Sequence, residues 1–154
     1  MEDYLLDAEV VPQHKLYDAD RSKRFVNFIV DYILYLVSYY ALSFVGGLIL
    51  GISGYYSEAL VEEITVWFGL IAVVWWLLYY WLTEWLFKGR TPAKFITQTR
   101  AVTMDGLYLT PGRALGRALS RFIPFDPFSY LFGERGFHDM VSSTRVVDWP
   151  KEWK

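Results

Sequence analysis

The sequence predicts an all-α membrane protein: a two-helix transmembrane hairpin with both termini on the cytoplasmic side (N-in, C-in), followed by a basic, amphipathic cytoplasmic or interfacial region. A broken third membrane segment is the alternative for part of that region. Three observations predict this class. The 154-residue chain is 54% hydrophobic and 19% aromatic, with 7 Trp and 12 Tyr, which is rich for a soluble domain of this size. Its apolar length is concentrated in two segments, Phe25 to Ile52 and Ile64 to Phe87, each holding a single charged group, Asp31 and Glu84. Basic residues gather at one end of both segments and are missing from the linker between them.

The first twenty residues, MEDYLLDAEVVPQHKLYDAD, carry six acids and one lysine. That is the wrong charge for a leader's basic end, and the apolar run that follows is too long for one, so residues 1–20 are read as an acidic cytoplasmic tail. As a helix, Phe25 to Ile52 would run about 42 Å at roughly 1.5 Å per residue, more than a bilayer core needs. The second segment contains WFGLIAVVWWLLYYWL and is also long enough to span. A chain this short leaves too little polar mass to cover two such helices in a soluble bundle. Arg21, Lys23 and Arg24 abut the first segment and Lys88, Arg90, Lys94 and Arg100 follow the second, while the linker SGYYSEALVEE has three glutamates and no base. Basic flanks stay with the cytoplasm, which sets the hairpin's orientation. Tyr55 and Tyr56 then fall at the outer edge, and Trp81 and Trp85 toward the inner one.

Asp31 lies about ten ångströms along the first helix from Arg24, and Glu84 one turn before the second helix ends at the same side, so the two acids sit at neighbouring depths. Arg24, Asn27 and Asp31 are spaced by three and four and form one polar stripe. A carboxylate facing lipid is costly, whereas one facing a neighbouring helix, paired or hydrated, is tolerated. Three roles stay open for Asp31 at this point: a structural ion-pair network, a cation or proton relay, and a snorkelled, inert acid. Further along the same helix, Ser43, Gly47 and Gly51, with Gly46 alongside, define a small-residue face that lets another helix approach, either the second helix or another protomer.

Lys88 to Arg121 holds seven basic residues and one acid, Asp105, a positive segment suited to an anionic leaflet. Arg100 to Leu109, RAVTMDGLYL, reads as two short strands about Asp105-Gly106. Thr110 is placed to cap a helix over about 111–122 with Pro111 in its first turn. Arg113, Arg117 and Arg121 repeat along one face of it, fitted to lipid phosphates or a partner membrane protein, and Ala114, Leu115, Ala118, Leu119 and Phe122 cover the other. Nucleic acid is a poor partner for three arginines beside a bilayer. Pro124 and Pro127 break the stretch after it, and Leu115 to Phe132 is where the third segment would lie. RVV near the end is strand-like. His138-Asp139 has no second ligand at metal spacing and His14 is remote, so no metal site is expected. The chain has no cysteine, which excludes disulfides, thiolate nucleophiles and cysteine-held metal clusters. His138, Ser142 and Ser143 form no nucleophile motif and GERG is no phosphate loop, so neither catalytic residues nor a cofactor are expected.

Taken together, RFVNFIVDYIL, TEWLFKGRTPAKFITQTRAVTMDG, GRALGRALSRFIPFDPFSYLF and GFHDMVSSTRVV resemble the RDD family of small bacterial transmembrane proteins, named for one arginine and two aspartates. Arg24 matches the arginine, Asp31 the first aspartate and Asp139 the second. The likeness covers about residues 20 to 147, with Ala93 where relatives resemble GRTPGK. It implies a membrane domain over 21–147 between the acidic tail and a polar C-terminal tail, 148–154, in a bacterial cytoplasmic membrane. For function, the residues are read as a structural or partner-binding module organised by an Arg24–Asp31–Asp139 network, with Asn27 and Glu84 beside it, while the resemblance implies a link with sodium or proton exchange. The alternative is a sodium/proton transporter or antiporter component in which Asp31 binds the sodium ion or proton. Two spanning helices do not enclose a path, so transport would require a homo-oligomer or another membrane protein.

Overall fold

A computed structural model describes residues 16–54, 57–123 and 137–149. The chain is predominantly helical, and its two long helices are each apolar enough to cross a membrane. Helix α1 (Arg21–Ser53) starts a turn earlier than its apolar run, because Asp20 stands at its N-cap and accepts from the Arg21 N–H at 2.8 Å. It ends at Gly54, whose φ of 72° suits a residue without Cβ. Helix α2 (Glu58–Leu86) also starts earlier than expected: Ser57 caps it, its hydroxyl accepting from the Leu60 N–H at 3.2 Å. Most large apolar side chains of both helices face outward, up to 86% exposure at Ile52. Water would not tolerate such a surface, whereas lipid does.

The two helices meet along an aromatic seam. Tyr35 and Tyr39, one turn apart, donate their hydroxyls to the Ala72 and Phe68 carbonyls, each at 3.0 Å, and the Trp75 indole donates to Ser38 at 3.0 Å. Trp76 lies edge-on to Tyr35 with ring centroids 4.8 Å apart. The seam does not reach the small-residue face: a Cβ added at Gly46, Gly47 or Gly51 would meet nothing within 4 Å. Among the described residues, no atom of α2 comes within 4 Å of a Cβ at these three glycines.

Helix α2 stops in a Schellman turn. The Lys88 N–H donates to the Trp85 carbonyl at 3.1 Å and the Gly89 N–H to the Glu84 carbonyl at 2.6 Å, with Lys88 in the left-handed region at φ 50°. Gly89 has φ 91°, and a Cβ there would lie 2.0 Å from the Ala101 carbonyl oxygen, so only glycine lets this turn press against the next strand.

Beyond it come α3 (Pro92–Ile96), β1 (Thr99–Thr103), α4 (Pro111–Ser120), α5 (Phe137–Val141) and β2 (Thr144–Asp148). Thus a small sheet joins the helices. The hairpin expected over Arg100–Leu109 does not form a ladder. A turn closes at Gly106, with the Thr103 N–H donating to the Leu107 carbonyl at 2.9 Å, but β1 pairs antiparallel with β2, from Thr99 opposite Asp148 to Thr103 opposite Thr144. Only three residues separate Gly106 from the Thr110 cap, and Leu109 is buried with Ala19, Ala101 and Val146. Segments from both expected tails join this core. Tyr17 and Ala19 hydrogen-bond the free edge of β2, and Trp149 packs with Val102 and Val147.

Helix α4 has the expected Thr110 cap and leading Pro111. It packs on α2, where the Trp81 indole donates to the Pro111 carbonyl at 3.1 Å, so it lies against the end of the hairpin at which α2 stops, with Ala114 and Ala118 buried. Half of the alternative third segment, residues 124–132, lies outside the described residues, as do Tyr55, Tyr56, His14 and GERG.

Candidate functional site

The polar stripe of α1 becomes a row of attachments. Lys23 pairs with Asp148 at 2.9 Å. Arg24 donates through Nε to the Ala19 carbonyl at 2.9 Å and through Nη2 to the Val146 carbonyl at 3.2 Å, while its Nη1 stands 3.9 Å from Asp139. Asn27 donates to the Thr99 hydroxyl at 2.9 Å and accepts from that of Thr97 at 2.5 Å. One face of one helix thus holds both strands of the sheet.

Asp31 is 2% exposed and accepts three hydrogen bonds: from the Thr91 hydroxyl at 2.5 Å, the Ala93 N–H at 3.1 Å and the Tyr79 hydroxyl at 3.3 Å. The physical cause lies in the segment GRTPAKF. Helix α3 opens with Thr91 and Pro92, and Thr91 makes no side-chain cap of its own. Its hydroxyl turns to Asp31, whose carboxylate takes over the exposed N–H of the first turn, where the helix dipole also favours negative charge. Asp31 is a cap supplied from another helix. Within the expected Arg24–Asp31–Asp139 network, Arg24 stands beside Asp139, and Asp31 is held by the opening of α3.

A second cluster forms around Glu84, one turn from the end of α2. It is fully buried. Its Oε1 receives Lys94 Nζ at 2.6 Å and Arg121 Nη2 at 3.2 Å, and its Oε2 receives Arg117 Nε at 2.7 Å. Arg117, also at 0% exposure, reaches from Glu84 across to Asp139 on α5 and to the Thr144 hydroxyl on β2. Burial works against the Arg117 charge, but Glu84 and Asp139 outweigh it, so the guanidinium is held above its ordinary pKa. For Lys94 burial prevails and lowers the pKa of the ammonium, with Glu84 opposing.

These positions correct the expected role of the arginine face. Arg113 is exposed as expected, but Arg117 and Arg121 turn inward to Glu84 rather than outward to lipid phosphate. Burying Glu84 alone would be far costlier than burying it with cations, and Arg117 on α4 and Arg121 at its C-cap, one turn apart, supply them with Lys94. Lys94, Thr91, Tyr79 and Thr144 carry no sequence signal beyond a base near an acid and a Thr-Pro helix start. Among the described residues, no group of three metal-ligating side chains comes together. A void of about 10 Å³ lies between Arg24, Asn27, Asp31, Lys94 and Arg121, room for one water at most.

No curated protein and no solved structure matches the chain. The RDD family profile matches residues 19–144, a span that opens just before Arg24 and closes at Thr144, with both clusters inside it. A profile covering that much of the sequence, together with two apolar helices long enough to span a bilayer, identifies the chain as a multi-pass membrane protein that belongs to the RDD family.

Proposed function

We propose that the protein is a structural or partner-binding membrane module: an N-in, C-in hairpin in the bacterial cytoplasmic membrane that holds a small cytoplasmic unit, which includes residues 16–20, 88–123 and 137–149, rigidly against its inner end. The observation that carries this reading is the occupancy of the buried acids. Asp31 already receives three donors and Glu84 three cations, so both are engaged in joining α1, α2, α3 and α4. The open face of Ser43, Gly47 and Gly51 is the part of the hairpin suited to a second copy or another membrane protein.

The transport reading would have Asp31 release its donors to take up a sodium ion or proton. Its surroundings oppose cation entry, because Arg24, Lys94 and Arg121 ring the same small void. The test is sodium- and pH-gradient-driven flux in proteoliposomes for the native chain and Asp31→Asn, with fold and oligomeric state checked for both. The module reading expects no flux above empty liposomes and a loss of stability or assembly in the variant. Native flux that disappears in an intact, equally assembled variant would replace it with transport.

A further inference from the structure

Outside both clusters, three cations converge on two rings just past the end of α2. Lys88 Nζ lies 5.2 Å from the Tyr108 ring centre. The Arg100 guanidinium lies 4.9 Å from Tyr108 and 4.1 Å from Trp149, and that of Arg90 lies 5.6 Å from Trp149 and 5.2 Å from Phe95. Two guanidiniums therefore share one indole. A guanidinium lying on a ring keeps its N–H edge available, the edge that matches phosphate in a forked geometry.

Arg90 is the telling member. Among the described residues no carboxylate lies against it, and its Nε is buried without a hydrogen-bond partner. Burial and the charge of Arg100 together bring its pKa down to about 10. Both effects disfavour the bare Arg90 cation, and an anion beside Arg90 would offset them. Around it, Leu86, Phe87, Phe95 and Ile96 are exposed, so the apolar surface of the spanning helix runs directly into the cationic group. That is the order of chemistry in a lipid, acyl chain below and phosphate above.

We propose that Arg90, with Lys88 and Arg100, forms a site for the phosphate of an anionic phospholipid of the inner leaflet, whose acyl chains lie along Leu86, Phe87, Phe95 and Ile96. The proposal rests on α2 spanning the membrane with this end at its boundary, and on neither role of Asp31. The Schellman turn at Lys88-Gly89 aims Arg90 at the site, and Trp149 fixes the spacing of the two guanidiniums.

The experiment titrates the full chain in neutral detergent with dihexanoyl phosphatidylglycerol, dihexanoyl phosphatidylcholine or inorganic phosphate while following the Trp149 indole N–H resonance. The phosphatidylglycerol titration is expected to shift it saturably and the other two to leave it in place. Arg90→Gln is expected to weaken the phosphatidylglycerol response roughly five- to tenfold, while Arg21→Gln, removing an exposed arginine at the start of α1, leaves it unchanged. An unmoved resonance, an equal response to phosphatidylcholine, an equal response to inorganic phosphate, or an equal loss in Arg21→Gln overturns the proposal. Should Arg90→Gln fail to fold, the three titrations of the native chain decide the matter.

Discussion

Asp31 accepts the Ala93 N–H at 3.1 Å, so a carboxylate inside one apolar helix serves as the cap of another, 62 residues further along the chain. The same carboxylate holds the hydroxyl of Thr91, the residue at which α3 begins. Removing its charge should therefore loosen a joint. Asp31→Asn is expected to cost about 1–3 kcal/mol, the range for leaving a buried donor poorly satisfied, read as a lowered denaturation midpoint in detergent. A variant as stable as the native chain would show that the cap contributes little.

Arg117 bridges Glu84 and Asp139 with no exposure to solvent. Its replacement by Met leaves two buried acids short of a cation, for an expected loss of about 3–5 kcal/mol. Arg117→Lys should rescue little, because an ammonium lacks the planar fork that serves both acids. The pairing with Glu84→Gln is expected to be non-additive, with the double variant losing less than the two singles together. Additive losses in chemical denaturation would argue against direct coupling.

Gly89 combines φ 91° with a backbone oxygen 2.0 Å from any added Cβ. Gly89→Ala must displace β1 or open the Schellman turn, and a loss of about 2–4 kcal/mol is expected. Gly47→Ala, where a Cβ has open space in the monomer, should leave monomer stability nearly unchanged. If it instead lowers a self-association measured by sedimentation, the small-residue face lies between copies.

The chain's lack of cysteine makes orientation directly measurable. A membrane-impermeant maleimide added to intact cells should label Ser57→Cys and leave Arg113→Cys unlabelled until the membrane is opened. The reverse pattern would invert the hairpin.

At the start of α1, the Asp20 carboxyl is held below its ordinary value of 3.8, first by the Ser22 hydroxyl and then by the Arg21 N–H. A depressed carboxyl contributes stability that is present above its unfolded value and is lost as pH falls through the folded one. The difference in stability between the native chain and Asp20→Ala should accordingly hold at neutral pH and shrink below about pH 4. A difference that persists at lower pH would assign it to something other than the charge.

The sequence by itself determined the features that depend on local composition. Two long apolar runs, each holding one charge, are enough to specify two spanning helices, whatever surrounds them, and Thr110-Pro111 specifies a helix start in the same local way. It also marked Asp31 and Glu84 as groups needing partners, since a charge inside an apolar helix is costly wherever the chain leads. Only the tertiary structure decided who those partners are. Asp31 faces a helix start rather than Arg24, β1 pairs with a strand that arrives after α4 and α5, and Arg117 turns inward although an arginine on a short surface helix ordinarily faces out. Each outcome depends on where distant segments return to the end of the hairpin. The preference of a lone arginine for water reverses once a buried glutamate and a buried aspartate stand on either side of it.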